Sequence, residues 1–135
     1  MLARQAVLST IRMVREENLD VRAVTLGINL NVCAHPDPDK LAQAVYARIA
    51  EKAGPLVRFC NDVSAKYGLP IVNKRIAVSP VSILLEGHTP ETAVKVCRAL
   101  DAAAEQVEID LLGGFSALVQ KGVTPGERTL IESLP

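Results

Sequence analysis

From residue 3 to about residue 18 the apolar positions Ala3, Val7, Ile11 and Val14 recur three or four apart, while Arg12, Arg15, Glu16 and Glu17 take the other faces. That is the spacing of an amphipathic helix. From Val21 the period drops to two: Val24, Leu26, Ile28, Leu30 and Val32 fall on one side, and Thr25, Gly27, Asn29, Asn31 and Cys33 on the other, so a strand is predicted over 21–33. His35, Pro36, Asp37 and Pro38 then stop it, with Asp37 placed to cap a second helix whose first residue is a proline. Leu41, Ala44, Val45 and Ile49 form the inward stripe of that helix until Gly54 and Pro55 break or kink it. A continuation through Val57, Cys60 and Val63 reaches Tyr67 and a natural left-handed cap at Gly68.

A second strand is predicted over 71–79, with Asn73, Arg75, Ala77 and Ser79 on one face and Pro80 limiting further ladder bonds. Thr89 and Pro90 repeat the cap-then-proline signal and open a third helix, expected to turn Val94, Cys97, Leu100 and Ala104 inward. A third strand over 107–112 runs into Gly113 and Gly114, and the Thr124-x-x-Glu127 pattern is a capping box for a last helix. That helix has barely begun at Pro135, which points to a chain cut out of something longer. Helices and strands alternate throughout, so the expected fold class is α/β, one domain over 1–135, with parallel strands joined by crossovers.

Composition changes this picture by exclusion. Trp is absent and aromatic residues are only 3% of the chain, too few to build a base-stacking surface. Lys plus Arg and Asp plus Glu number 15 each and are interspersed, which argues against a nucleic-acid or membrane footprint. Cys33, Cys60 and Cys97 are odd in number and make no CxxC, so a disulfide framework or a metal site is not expected, and a reduced, cytoplasmic setting is. The first five residues lead into a charged amphipathic pattern rather than an apolar leader.

Buried parallel strands read as continuous apolar runs, so strands with a polar or small face ask for an explanation. Asn29, Asn31 and Cys33 on the first, Asn73, Arg75 and Ser79 on the second, and Gly113, Gly114, Ser116, Gln120 and Lys121 after the third are the candidate ligand-binding set. In α/β sheets, clefts open beyond the carboxyl ends of strands, which favours Asn31, Cys33, Ser79 and the 113–122 stretch. The same polar residues also fit a sheet face turned to water. Arg75 and Lys121 suit a carboxylate or phosphate, Arg75 through its planar fork; with Lys74 they also fit solvated charges at strand ends. The glycine pair fits either an anion-binding run of amides or a tight bend. Cys33, two residues from His35, fits either an activated thiol or a small core residue; Cys60 and Cys97 lie on apolar stripes. No catalytic residue, cofactor or metal ligand is assigned.

The stretches VTLGINL at 24–30, LPIVNKRIAVSP at 69–80 and GGFSALVQKG at 113–122, with IRMVREENLD at 11–20 and LIESLP at 130–135, resemble an uncharacterised prokaryotic family labelled "PFL family protein" (domain of unknown function family 711). Members are several times longer, and this chain is similar to their N-terminal part. The label implies a barrel like that of pyruvate formate-lyase and other glycyl radical enzymes, whose interior the polar strand faces would line. Their radical chemistry uses a glycyl loop near the C-terminus and a cysteine inside the barrel. Neither is recognisable here, and Gly54-Pro55 departs from the uninterrupted helix expected in that family.

Two classes of function follow. One is an enzyme-like domain holding a small anionic metabolite in a polar barrel interior through Arg75 and Lys121. The other is a non-catalytic binding or regulatory module that covers its open strand edges by pairing with itself or with the remainder of the barrel.

Overall fold

A computed structural model describes residues 3–17 and 20–135. Three parallel strands, β1 (Val21–Ile28), β2 (Ile71–Val78) and β3 (Leu111–Gly113), form one open sheet in the order β1-β2-β3. Among the described residues, five α-helices accompany them: α1 (Arg4–Arg15), α2 (Pro38–Ala53), α3 (Leu56–Tyr67), α4 (Pro90–Gln106) and α5 (Pro125–Glu132). The expected α/β alternation with parallel pairing is therefore what forms, as an open sheet of three strands.

The register across the sheet is set by Thr25 opposite Arg75 and Arg75 opposite Leu111, then Gly27 opposite Ala77 and Ala77 opposite Gly113. One face carries Val24, Leu26, Ile28, Ile76, Val78 and Leu112, and it packs into the apolar core with α2 and α4. Leu41, Val45, Ile49 and Ala53 of α2 and Ala93, Val96, Leu100 and Ala103 of α4 are buried there. Burying such a leucine or isoleucine contributes about 2 kcal/mol or more to stability. The opposite face bears Thr25, Gly27, Ala77 and Leu111, all exposed.

Several boundaries differ from the sequence reading. β1 ends at Ile28 rather than at Cys33, because the Asn29 side-chain oxygen accepts the Asn31 N–H at 2.8 Å and the Ser79 hydroxyl accepts the Leu30 N–H at 3.0 Å. Those two bonds divert the chain into a short 3-10 turn, Asn31–Cys33, which places Cys33 under α2 and off the open face. A second 3-10 turn, Val81–Leu85, follows β2 and had no signal strong enough to predict it.

β3 begins at Leu111, not near residue 107. Val107 instead caps α4, its N–H bonding the Ala103 carbonyl, and Glu108, at φ 56°, turns the chain back through the left-handed region. The inward stripe of α4 is also rotated from the one expected: Val94 and Cys97 are exposed, while Ala93, Val96 and Ala103 are buried beside Leu100. Both stripes have helical spacing. The one that wins faces the core that α4 shares with α2, and Tyr46 and Gln106 hydrogen-bond across the pair.

The break at Gly54-Pro55 separates α2 from α3, and Gly68 caps α3 in the left-handed conformation, φ 67°, as expected. α1 buries none of its side chains, so its apolar stripe at Val7, Leu8 and Ile11 stays exposed. Its predicted end at Asn18, and Leu19 beyond it, lie outside the described residues.

Candidate functional site

The carboxyl ends of the three strands are laced together by main-chain bonds. Ser79 N–H donates to the Ile28 carbonyl at 3.1 Å, Val81 N–H to the Gly114 carbonyl at 3.0 Å, and Ser82 N–H to the Ser116 carbonyl at 3.3 Å. Asn29, Asn31, Ser79, Gly113, Gly114 and Ser116 are thus gathered along one edge of the sheet. Their side chains are mostly spoken for. Asn29 holds the Asn31 amide, Ser79 holds the Leu30 amide, and the Ser116 hydroxyl donates to the Gly114 carbonyl at 3.3 Å.

Gly114 is a geometric necessity. Its φ is 123°, and a Cβ there would lie 2.5 Å from both the Val78 carbonyl oxygen and Cγ2. Only glycine lets the chain leaving β3 lie against the end of β2. Gly113 and Gly27 are different, because a Cβ on either would meet nothing within 4 Å. Together with Ala77 between them they form a low, flat row across the open face.

Arg75 lies one register step from that row, between Thr25 and Leu111. Its Nε is shielded from solvent and has no hydrogen-bond partner. A buried guanidinium N–H without an acceptor costs about 1–3 kcal/mol, so it is the polar group in this neighbourhood that a bound oxyanion would satisfy. Asn73, two residues earlier on the same face, donates instead to the Arg22 carbonyl at 3.1 Å, which ties β2 to β1.

The remaining predicted residues lie elsewhere. Gln120 and Lys121 are exposed on the segment leading to α5, and no described contact joins them to Arg75. Cys33 is buried and donates its thiol hydrogen to the Ala44 carbonyl at 3.5 Å. Burial pushes the Cys33 thiol above its ordinary pKa, with the Arg48 guanidinium pulling the other way. His35 does not activate it: its Nδ1 accepts the Asp37 N–H at 2.9 Å, and its carbonyl faces the His88 ring at 3.1 Å. Cys33 therefore sits here as a protonated core residue.

Glu127 is the residue that sequence reasoning placed only as a cap. It is buried, and it accepts the Leu118 N–H at 2.9 Å and the Thr124 N–H at 2.8 Å, one on each carboxylate oxygen. The Thr-x-x-Glu pattern signalled the second bond, but nothing in it signalled the reach to Leu118. Gly126 beside it is equally constrained, since a Cβ would lie 2.3 Å from the Ser82 carbonyl oxygen.

A cleft of about 590 Å³ lies away from these residues, between α4 and the outer side of β3, where Cys97, Leu100, Leu111 and Phe115 line it. Among the described residues, no three His, Cys, Asp or Glu side chains are grouped to hold a metal ion, and no helix is long and apolar enough to cross a membrane.

Residues 12–135 match the family described as "Uncharacterised ACR (DUF711)". Similar proteins include the "UPF0210 protein" of Desulfovibrio desulfuricans, 49% identical over 135 residues, which is 100% of this chain and 29% of that protein. Those of Syntrophotalea carbinolica and Methanococcoides burtonii are 50% and 49% identical over 131 residues, 97% of this chain and 29% of each. The chain thus spans less than a third of the length of these relatives.

Proposed function

Because the chain belongs to the Uncharacterised ACR (DUF711) family, whose description assigns no activity, we propose a reading drawn from the site itself. This chain is the N-terminal portion of a pyruvate formate-lyase-like α/β barrel in the cytoplasm, and its open sheet face lines an interior that binds a small anionic metabolite in an enzyme-like site. The observation that carries this reading is Arg75. Its Nε is withdrawn from water without a partner, beside a row of residues without bulk, Gly27, Ala77 and Gly113. An oxyanion resting on that row would supply the missing acceptor, and strand glycines commonly mark where another group approaches the backbone closely. Lys121, exposed on the segment leading to α5 and without a described contact to Arg75, is the second charge that this reading assigns to the anion.

The test is thermal stabilisation of the protein across a panel of small carboxylates and phosphates. At least one should raise the melting temperature, and Arg75→Ala should abolish that rise. A panel that stabilises Arg75→Ala as well as the unaltered protein removes Arg75 from the site.

The second reading is a non-catalytic binding or regulatory module that assembles with itself or with the rest of the barrel. It is favoured by the sheet order, which leaves β1 and β3 each with a free edge among the described residues. Unpaired edges of this kind call for covering. Light scattering of the purified chain discriminates, since a stable monomer at high concentration speaks against an obligatory partner.

A further inference from the structure

We infer that the free edge of β3 and the cleft beside it form the seat for a strand and helix supplied by the part of the longer relatives that this chain does not span. The inference rests on the barrel reading above and names which surface continues it. β1 pairs with β2 and β2 with β3, each time in parallel, so the next parallel strand has one place to add on this side, along Leu111–Gly113. A parallel strand needs a crossover, usually a helix laid on the sheet face. α2 and α4 already lie side by side on that face, and the cleft of about 590 Å³ continues their layer past α4.

The lining of the cleft specifies its occupant. Its floor is Leu100, Leu112 and Phe115, which suits an apolar helix stripe. Its rim carries Asp101, Glu105 and Asp110 and no Lys or Arg. Asp110 is engaged, accepting the Lys74 N–H at 2.7 Å, whereas Asp101 and Glu105 stand exposed one turn apart on α4. The occupant is therefore a helix with an apolar stripe flanked by basic residues, joined to a strand that completes the β3 ladder. The relatives that match the whole of this chain have the length to supply it, since the matched part is 29% of the Desulfovibrio desulfuricans protein.

Backbone hydrogen exchange across β3 tests this. It is measured in this chain, in the intact Desulfovibrio desulfuricans relative over its matched segment, and in a hybrid of that relative in which this chain replaces the matched segment. The β3 amides should exchange at least about tenfold more slowly in the relative and in the hybrid than in this chain alone, with β2 differing little. Equal rates at β3 in this chain and in the intact relative overturn the inference, whatever the hybrid does. Slow, concentration-dependent exchange in this chain alone also overturns it, because a second copy then occupies the edge. In the hybrid, Asp101→Lys with Glu105→Lys should return β3 to fast exchange at low salt; retained protection refutes the basic flank. Anion binding at Arg75 is read separately, so loss of that reading leaves this result interpretable.

Discussion

Glu127, buried at the start of α5, accepts the Leu118 N–H at 2.9 Å across nine residues, and so fastens the segment after β3 to the last helix. The same carboxylate closes the capping box with Thr124. Glu127→Ala would leave both backbone donors without their acceptor in a partly buried place, a loss of about 2–4 kcal/mol at roughly 1–2 per donor. Glu127→Gln keeps one acceptor and should lose about half as much. Chemical denaturation gives the totals, and hydrogen exchange at the Leu118 and Thr124 amides should accelerate in Glu127→Ala before the core amides do. Unchanged exchange at Leu118 would mean that the bond contributes nothing.

Gly114→Ala tests whether the glycine pair serves geometry. The substitution forces a Cβ to within 2.5 Å of the Val78 backbone at a φ that L-residues avoid, so a loss of about 2–3 kcal/mol is expected. Gly113→Ala meets nothing within 4 Å, and should change stability by less than about 1 kcal/mol. If Gly113 lines a ligand site, its alanine variant should instead lose ligand-induced stabilisation while folding normally. Parallel denaturation of the two variants separates backbone necessity from room kept for something else.

The contrast shows what the sequence made legible. Asp37, Gly68 and Thr124 were readable as helix punctuation because each acts through its own neighbours in the chain. The phase of α4 was not, because the spacings through Val94 and Cys97 and through Ala93 and Val96 are equally helical. Only the way α4 packs against α2 and the sheet decides between them. Cys33 was misplaced for a similar reason: alternation continues to residue 33, but the strand is ended by Ser79, which lies 49 residues away in the chain and takes the Leu30 amide. Of the candidate site, Arg75 and Ser79 were legible through the alternation over 71–79 and the 113–116 residues through the glycine pair, whereas alternation carried Asn29, Asn31 and Cys33 into a strand that ends at Ile28. That the Arg75 Nε lacks a partner depends on how β1, β2 and β3 pack around it, and no spacing records that.

Cysteine chemistry gives a third prediction. Cys97 is exposed while Cys33 and Cys60 are buried, so a maleimide reagent should modify Cys97 first, with the other two reacting only on unfolding. The pH dependence has a definite sign. Burial raises the Cys33 pKa, so the folded chain holds its proton more tightly than the unfolded chain does. Its contribution is fully present below the ordinary thiol pKa, about 8.5, and stability should decline as pH rises past that value toward the higher folded pKa. Cys33→Ala should reduce that slope in denaturation measured between neutral and alkaline pH. An identical slope in the variant would assign it to other groups.

At the N-terminal side of α2, the Asp37 carboxyl is held below its ordinary pKa by the amides of Lys40 and Asp39. A lowered carboxylate contributes stability above its unfolded pKa and loses it as pH falls through the folded value. Asp37→Ala should therefore destabilise the chain at neutral pH and matter progressively less in acid. Denaturation midpoints of the two proteins that stay parallel from neutral pH into acid would show that the cap is not acting through its charge.

The binding account stands or falls on the Arg75 guanidinium. Its Nε–H resonance, observed by NMR while a panel of small carboxylates and phosphates is titrated in, measures the proposed contact at the atom concerned. The account predicts a saturable shift of that resonance with at least one anion, accompanied by shifts at the Thr25, Gly27, Ala77 and Gly113 amides that surround it in register. An Arg75 resonance that stays fixed while anions shift residues elsewhere on the molecule would contradict it.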